Sequence, residues 1–209
     1  MRFYIVDAFT DTLFGGNPAG VVLLEKGAEF PADGVMRKTA AELRYSETAF
    51  IKQTGEKAFR IRYFTPAAEV DLCGHATIGS FFALADAKLI DFGSSCFCDT
   101  LAGRLNIELS NDTVFMDMAA PRSMGEVSGA EAVQALYSIM GIGAENQGAV
   151  LSGGQTVLSE GQKAAVLVPE MISTGLPDIM LPVQSEEELA AIKPDFPALS
   201  KLSERYEVV

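Results

Sequence analysis

Residues 69–88 read EVDLCGHATIGSFFALADAK, and the fold turns on how the second part of that stretch can be buried. From His75 to Lys88 the residues suit a helix, with Ile78, Phe81, Phe82, Leu84 and Ala85 spread around nearly its whole circumference. A helix apolar on almost every side has no face to give to water, so it must be surrounded by protein. A strongly curved sheet wrapped around a central helix meets that demand. The sequence supplies the strands: residues 2–6, 21–24, 48–52, 59–64, 105–109 and 114–118 are short β-type segments separated by glycine-rich turns. A second helix is predicted over 32–44, with Arg37 and Lys38 on its exposed side. The fold class is therefore α+β.

Beyond Ala120-Pro121-Arg122 a second unit is expected, with Pro121 and the glycines at 125 and 129 marking the change. It contains a predicted helix over 131–140, a strand over 164–168, and a helix capped by Ser185 that runs to 192. The expected domains are residues 1–120 and 121–209. Tyr206-Glu207-Val208-Val209 reads as the opening of a strand, so the second domain is expected to be incomplete, and an incomplete sheet would favour self-association.

Sixteen Lys and Arg against 28 Asp and Glu give a net charge of −12 over 209 residues. That field repels phosphate backbones and anionic surfaces, so no nucleic-acid and no membrane partner is expected. The most apolar stretch, 76–90, is too short to span a bilayer and is interrupted by Asp86 and Lys88. MRFYIVDAFT at the N-terminus reads as a strand and not as a signal peptide. Three cysteines cannot make a disulfide framework. A reducing, cytoplasmic location is the expectation.

Three places could carry chemistry. Glu47 lies in RYSETAF (44–50), where a helix ends and a strand begins, a junction able to aim a carboxylate into a cleft; an ordinary solvated acid is the plain alternative. Cys73-Gly74-His75 opens the apolar helix, where free backbone N–H groups and the dipole favour an anion. His75 is the only histidine, and the dipole there disfavours its protonated form. A capping turn with a packed histidine would look the same. Cys73 could be a thiolate nucleophile or a small buried hydrophobe. With one histidine and no CxxC pair, a metal site lacks its usual ligand spacing, and none is expected. FGGNPAG (14–20) superficially resembles a phosphate loop. It lacks GK[ST] and precedes a strand, as Gly153-Gly154 also fails its context, so it reads as a structural turn with Asn17 facing the cleft.

Taken in order, AFTDTLFGGNPAGVV (8–22), ELRYSETAF (42–50), RYFTPAAEVDLCGHATIG (62–79) and STGLPDIMLPV (173–183) resemble the successive motifs of the phenazine biosynthesis PhzF-like family. The resemblance implies a diaminopimelate epimerase-like fold: two similar domains, each a curved, barrel-like sheet around a central helix, with a substrate cleft between them. It implies a cofactor-independent isomerase that moves a proton between carbons of a small carboxylated substrate, as in the isomerisation of trans-2,3-dihydro-3-hydroxyanthranilate. By motif position Glu47 is then the general acid/base, and Asn17, Ser46, Cys73, Gly74 and His75 surround the substrate. No cofactor is implied, and a homodimer is expected. Cys73 also stands where diaminopimelate epimerases carry a catalytic cysteine. A cysteine-dependent amino-acid epimerase is therefore a second reading, weakened because no cysteine follows Cys98. A non-catalytic, ligand-binding member is a third. The family's closing motif, resembling DF…R.F.P…EDPVTGSA, is not in these 209 residues, so the chain by itself is expected to be an inactive fragment.

Overall fold

A computed structural model describes residues 1–143 and 168–208. The strand expected over 164–168 falls almost entirely outside the described residues, as do Gly153 and Gly154. The chain divides into two compact units, Met1–Met118 and Ala119–Val209.

The first unit has eight strands: β1 (Arg2–Ala8), β2 (Asn17–Leu23), β3 (Thr48–Gln53), β4 (Ala58–Phe64), β5 (Glu69–Val70), β6 (Ser95–Thr100), β7 (Gly103–Ser110) and β8 (Thr113–Met116). Its helices are α1 (Asp33–Leu43) and α2 (Gly74–Asp86). The strand order is β1-β2-β3-β4-β6-β7-β8, with β5 pairing β4 off this path. Two pairs, β2–β3 and β4–β6, are parallel, and each is bridged by a crossover carrying a helix, α1 and α2 respectively.

One observation fixes the curvature. Helix α2 packs against β1, β2 and β3 at one end of the order and against β8 at the other, so the sheet must curl around it as a half-barrel. Nine of the thirteen α2 residues are buried, Gly74 and Ile78 are half-buried, and of the apolar residues only Phe82 is exposed, in keeping with the all-round burial read from the sequence. Phe82 is 43% exposed and rests edge-on against Phe92. The half-barrel stays open along that line, leaving a groove of about 690 Å³ between β1 and residues 112–114, floored by Ile78, Gly79 and Phe82. Small residues let α2 lie close to the sheet: a Cβ on Gly79 would stand 3.3 Å from the Cβ of Val6.

Strand alternation sorts the core into two layers. Ala49 and Ile51 of β3 face α2, together with Phe59, Ile61, Tyr63, Cys96, Cys98, Ile107 and Leu109. Phe50, between them in sequence, points to the opposite face and packs with Val22, Phe64, Met36 and Ala40 under α1. The two cysteines of β6 are thus core residues on one face, both free thiols. The rings of Phe59 and Phe81 meet edge to face at 5.3 Å, and those of Phe50 and Phe64 at 5.8 Å.

The second unit contains a three-stranded antiparallel sheet, β9 (Arg122–Glu126), β10 (Glu170–Ser173) and β11 (Pro177–Met180), in the order β11-β10-β9. Helices α3 (Ala130–Ile139), α4 (Glu186–Ala191) and α5 (Phe196–Tyr206) accompany it. Ser185 caps α4 by accepting the Glu188 N–H at 3.1 Å, as its sequence position predicts. Gly125 is not in a boundary loop. It sits inside β9 at φ 111°, next to the register shift between Met171 and Ile172 on the facing strand. The C-terminal expectation also needs correction: Tyr206 ends a helix and does not open a strand. Asp195 caps α5 by accepting the Ala198 N–H, Pro197 stands in the first turn, and Glu207 closes the helix in the left-handed conformation. The core of this unit gathers Val127, Val133, Tyr137 and Ile142, with the buried Tyr137 donating to the Pro182 carbonyl at 2.8 Å.

Candidate active site

Helix α1 ends at Arg44, whose left-handed backbone (φ 60°) returns its N–H to the Ala40 carbonyl and turns the chain sharply. Four residues later, at Thr48, β3 begins, locked against β2 by the hydrogen bond from the Gly20 N–H to the Glu47 carbonyl at 3.2 Å. Glu47 is therefore fixed by its backbone at the end of a buried parallel pair, while its side chain is 21% exposed.

The second component is the start of α2. Cys73 is its N-cap residue in extended conformation, and Gly74 is the first helical residue. A Cβ on Gly74 would meet nothing nearer than Met116 Cε at 3.7 Å, so the space above the helix start is open. The turn is anchored from the core side. Thr77 donates to the Cys73 carbonyl at 2.6 Å and also lies 2.6 Å from the Tyr63 hydroxyl. Thr77 has one hydroxyl proton, already committed to Cys73, so Tyr63 must donate to Thr77. From the other side Arg62 forms a two-pronged pair with Glu69 and reaches Asp33, tying β4 to β5 and to α1.

These two components bring Glu47, Cys73 and His75 together. His75 Nε2 lies 3.4 Å from Glu47 Oε2 and 3.5 Å from Ser46 Oγ, and its Nδ1 lies 3.3 Å from Cys73 Sγ. Burial holds the imidazole below its ordinary pKa of 6.5, against the opposing pull of Glu47, so the ring is neutral. Burial likewise pushes the Cys73 thiol up to about 12, with the backbone N–H of Ala76 pulling the other way and Glu47 adding to the rise. A protonated thiol that donates to Nδ1 leaves the ring proton on Nε2, facing the Glu47 carboxylate; the same thiol is also within hydrogen-bond reach of Glu47. Glu47 thus stands beside a neutral imidazole N–H and the open start of a buried helix.

Ser46 joins this group as an exposed hydroxyl at the edge. Asn17 does not: it is exposed at the start of β2, outside the hydrogen-bonded cluster. The turn before it is structural, because Gly16 has φ 63° and a Cβ there would stand 2.1 Å from the Ala8 carbonyl. The large groove along α2 contains none of Glu47, Cys73 and His75. It is the open seam of the sheet, and we place the candidate site at the cluster, where a carboxylate, an imidazole and the N-terminal end of a helix converge. Tyr63 and Thr77 were not singled out by sequence reasoning. A tyrosine and a threonine at apolar positions of a strand and a helix were the available signal.

The chain resembles known proteins in both sequence and structure. The family model described as phenazine biosynthesis-like protein matches residues 6–209. The Escherichia coli protein named uncharacterized isomerase YddE is 33% identical over 213 residues, covering 98% of this chain and 63% of that protein. The human phenazine biosynthesis-like domain-containing protein is 38% identical over 138 residues, covering 61% of this chain and 46% of the human one. Among solved structures, a Bacillus anthracis phenazine biosynthesis protein of the PhzF family superposes with a TM-score of 0.71 at 27% identity, over 93% of this chain and 60% of that one. A predicted epimerase from Pseudomonas aeruginosa shares the fold with a TM-score of 0.72 at 23% identity, over 97% of this chain and 67% of that one. The chain thus spans about 63% of the length of the E. coli relative. With a match over nearly all its residues and the half-barrel fold to go with it, the chain belongs to the family of phenazine biosynthesis-like, PhzF-type proteins.

Proposed function

We propose that the site serves cofactor-independent proton transfer between carbons of a small carboxylated substrate, with Glu47 as the acid/base. The observation that carries this reading is the 3.4 Å approach of Glu47 Oε2 to His75 Nε2 beside the start of α2. Relatives named as isomerases support the reaction class. Glu47 takes a proton from a substrate carbon as the carboxylate becomes a carboxylic acid. The electron pair left behind delocalises onto the substrate's own carboxyl group, whose oxygens gain charge. The positive end of the α2 dipole and the imidazole of His75 stabilise that charge. The same carboxyl then returns its proton to another carbon, so no net proton is gained or lost.

The cysteine-dependent epimerase reading is less well supported. A thiol pushed up to about 12 by burial is a poor base at neutral pH, whereas a carboxylate needs no activation to accept a proton. The test is a screen of cyclic and α-amino carboxylates for thermal stabilisation of the protein, followed by proton NMR in deuterium oxide of those that bind. Loss of a single carbon-bound proton signal is expected. Binding without exchange by every ligand would favour a non-catalytic member.

A further inference from the structure

The spacing of His and Cys in the sequence argues against a metal site, because a Cys-x-His pair alone offers two ligands. The fold adds a third. Glu47, contributed from 26 residues upstream of Cys73, brings a carboxylate oxygen to the thiol and the imidazole, and the three donor atoms lie within 4.8 Å of one another. We propose that Glu47, Cys73 and His75 form a capture site for one zinc ion. Its inhibitory consequence rests on the reading of Glu47 as the acid/base, since the ion would hold that carboxylate as a ligand; the binding itself does not.

The chemistry of the donors selects the metal. A thiolate, an imidazole and a carboxylate suit zinc and its cobalt substitute, whereas calcium and magnesium demand all-oxygen shells. Zinc bonds of about 2.0–2.3 Å in a tetrahedral set put neighbouring donors roughly 3.3–3.8 Å apart. The cluster therefore has to contract by about 1 Å at its widest separation, within reach of rotations of Glu47 and the imidazole. The imidazole coordinates through a single nitrogen, so one separation is already near that range whichever nitrogen binds, 3.3 Å from Sγ to Nδ1 or 3.4 Å from Nε2 to Oε2, and the remaining ones must close. Cys73 and His75 come from one anchored turn, so little order remains to be imposed on them. Glu47 is the most exposed of the three and lies on the side from which an ion would enter. Binding exchanges the thiol proton for the metal: the Cys73 S–H bond breaks, the proton leaves to solvent and a sulfur–zinc bond forms. Three protein ligands leave one coordination position open, the arrangement of a zinc site that still accepts water or a small anion.

The test is a titration of the chelator-stripped 209-residue protein with cobalt(II), followed by displacement with zinc. One cobalt per chain is expected, with a thiolate-to-cobalt charge-transfer band that zinc abolishes. Cys73→Ser should remove the band, and Cys96→Ser should leave it unchanged. Glu47→Gln, at a half-buried position where folding is not at stake, should keep the band and weaken binding at least about tenfold. The absence of a band, its persistence in Cys73→Ser, or unchanged affinity in Glu47→Gln would overturn the proposal. No substrate is used, so the outcome is independent of whether Glu47 exchanges a carbon-bound proton: a metal-binding protein whose Glu47→Gln variant still exchanged would remove the proposed function and leave the metal site standing.

Discussion

The Tyr63 hydroxyl donates to the Thr77 hydroxyl at 2.6 Å, and through it the buried face of the sheet holds the Cys73 carbonyl at the mouth of α2. This chain of two hydrogen bonds makes an asymmetric prediction. Tyr63→Phe removes one donor while Thr77 keeps its bond to Cys73, a loss of about 1 kcal/mol. Thr77→Val strands the tyrosine hydroxyl and removes one of the two bonds to the Cys73 carbonyl, which keeps the backbone N–H of residue 77 at 3.1 Å, about 2–3 kcal/mol for one unpaired buried group and one lost bond. Urea unfolding of the two variants checks the order; a Thr77→Val variant more stable than Tyr63→Phe would contradict it.

The thiol of Cys73 is pushed up from 9.0 to about 12, chiefly by burial. At neutral pH its thiolate fraction is then lower by about a thousandfold than at its ordinary value. Iodoacetamide should modify Cys73 of the native protein at least about a hundredfold more slowly than in the urea-unfolded chain, even after allowance for residual opening. Peptide mapping by mass spectrometry reads this directly. Rapid, selective labelling of Cys73 would instead support the epimerase chemistry.

His75 is the only histidine, so its titration can be followed without ambiguity. Burial lowers its folded pKa below the ordinary 6.5. Above pH 6.5 the ring is neutral in folded and unfolded chains alike, and it adds no pH dependence. As pH falls below 6.5 the unfolded chain takes up a proton that the folded one resists, so stability declines until the folded pKa is reached. The urea midpoint should therefore drop between pH 7 and pH 5.5 in the wild type and drop less in His75→Gln. Equal drops in both would show that the ring is not held neutral by the fold.

How far the sequence speaks for itself differs between the two units. The all-round apolarity of Ile78, Phe81, Leu84 and Ala85 is a strong signal because a curved sheet is one of few ways to satisfy it, and the half-barrel follows. Phe82 escapes the rule only because the half-barrel has a seam, which no local pattern can announce. In the second unit, β9 carries Arg122-Ser123-Met124-Gly125-Glu126, all exposed, and offers no alternation to read. The last helix carries a cap in Asp195 and a first-turn proline in Pro197, signals that the strand-like closing residues Tyr206-Glu207-Val208 masked. At the site, Cys73 and His75 are near each other in any conformation. The approach of Glu47 to them depends on the α1 crossover and the parallel pairing of β2 with β3, long-range facts that spacing does not encode.

The turn before β2 offers a test of backbone demand. Gly16 has φ 63° and a Cβ there would collide with the Ala8 carbonyl at 2.1 Å, whereas Gly93, at φ 86°, has open space around it. Gly93→Ala should cost about 1 kcal/mol from the left-handed backbone alone. Gly16→Ala adds the collision and should cost clearly more, about 3 kcal/mol or above. Similar melting temperatures for the two variants would mean the loop relaxes freely.

The central claim is that the Glu47 carboxylate moves the proton. The measurement that tests it most directly is deuterium incorporation from solvent into a bound carboxylate ligand, compared between the wild-type protein and Glu47→Gln at matched saturation. Glutamine keeps the size of the side chain and its ability to hydrogen-bond to His75 while losing the base. The account predicts at least about a hundredfold slower exchange in Glu47→Gln with an unchanged melting temperature. Exchange at the wild-type rate in the folded variant would contradict it and move the chemistry to another residue.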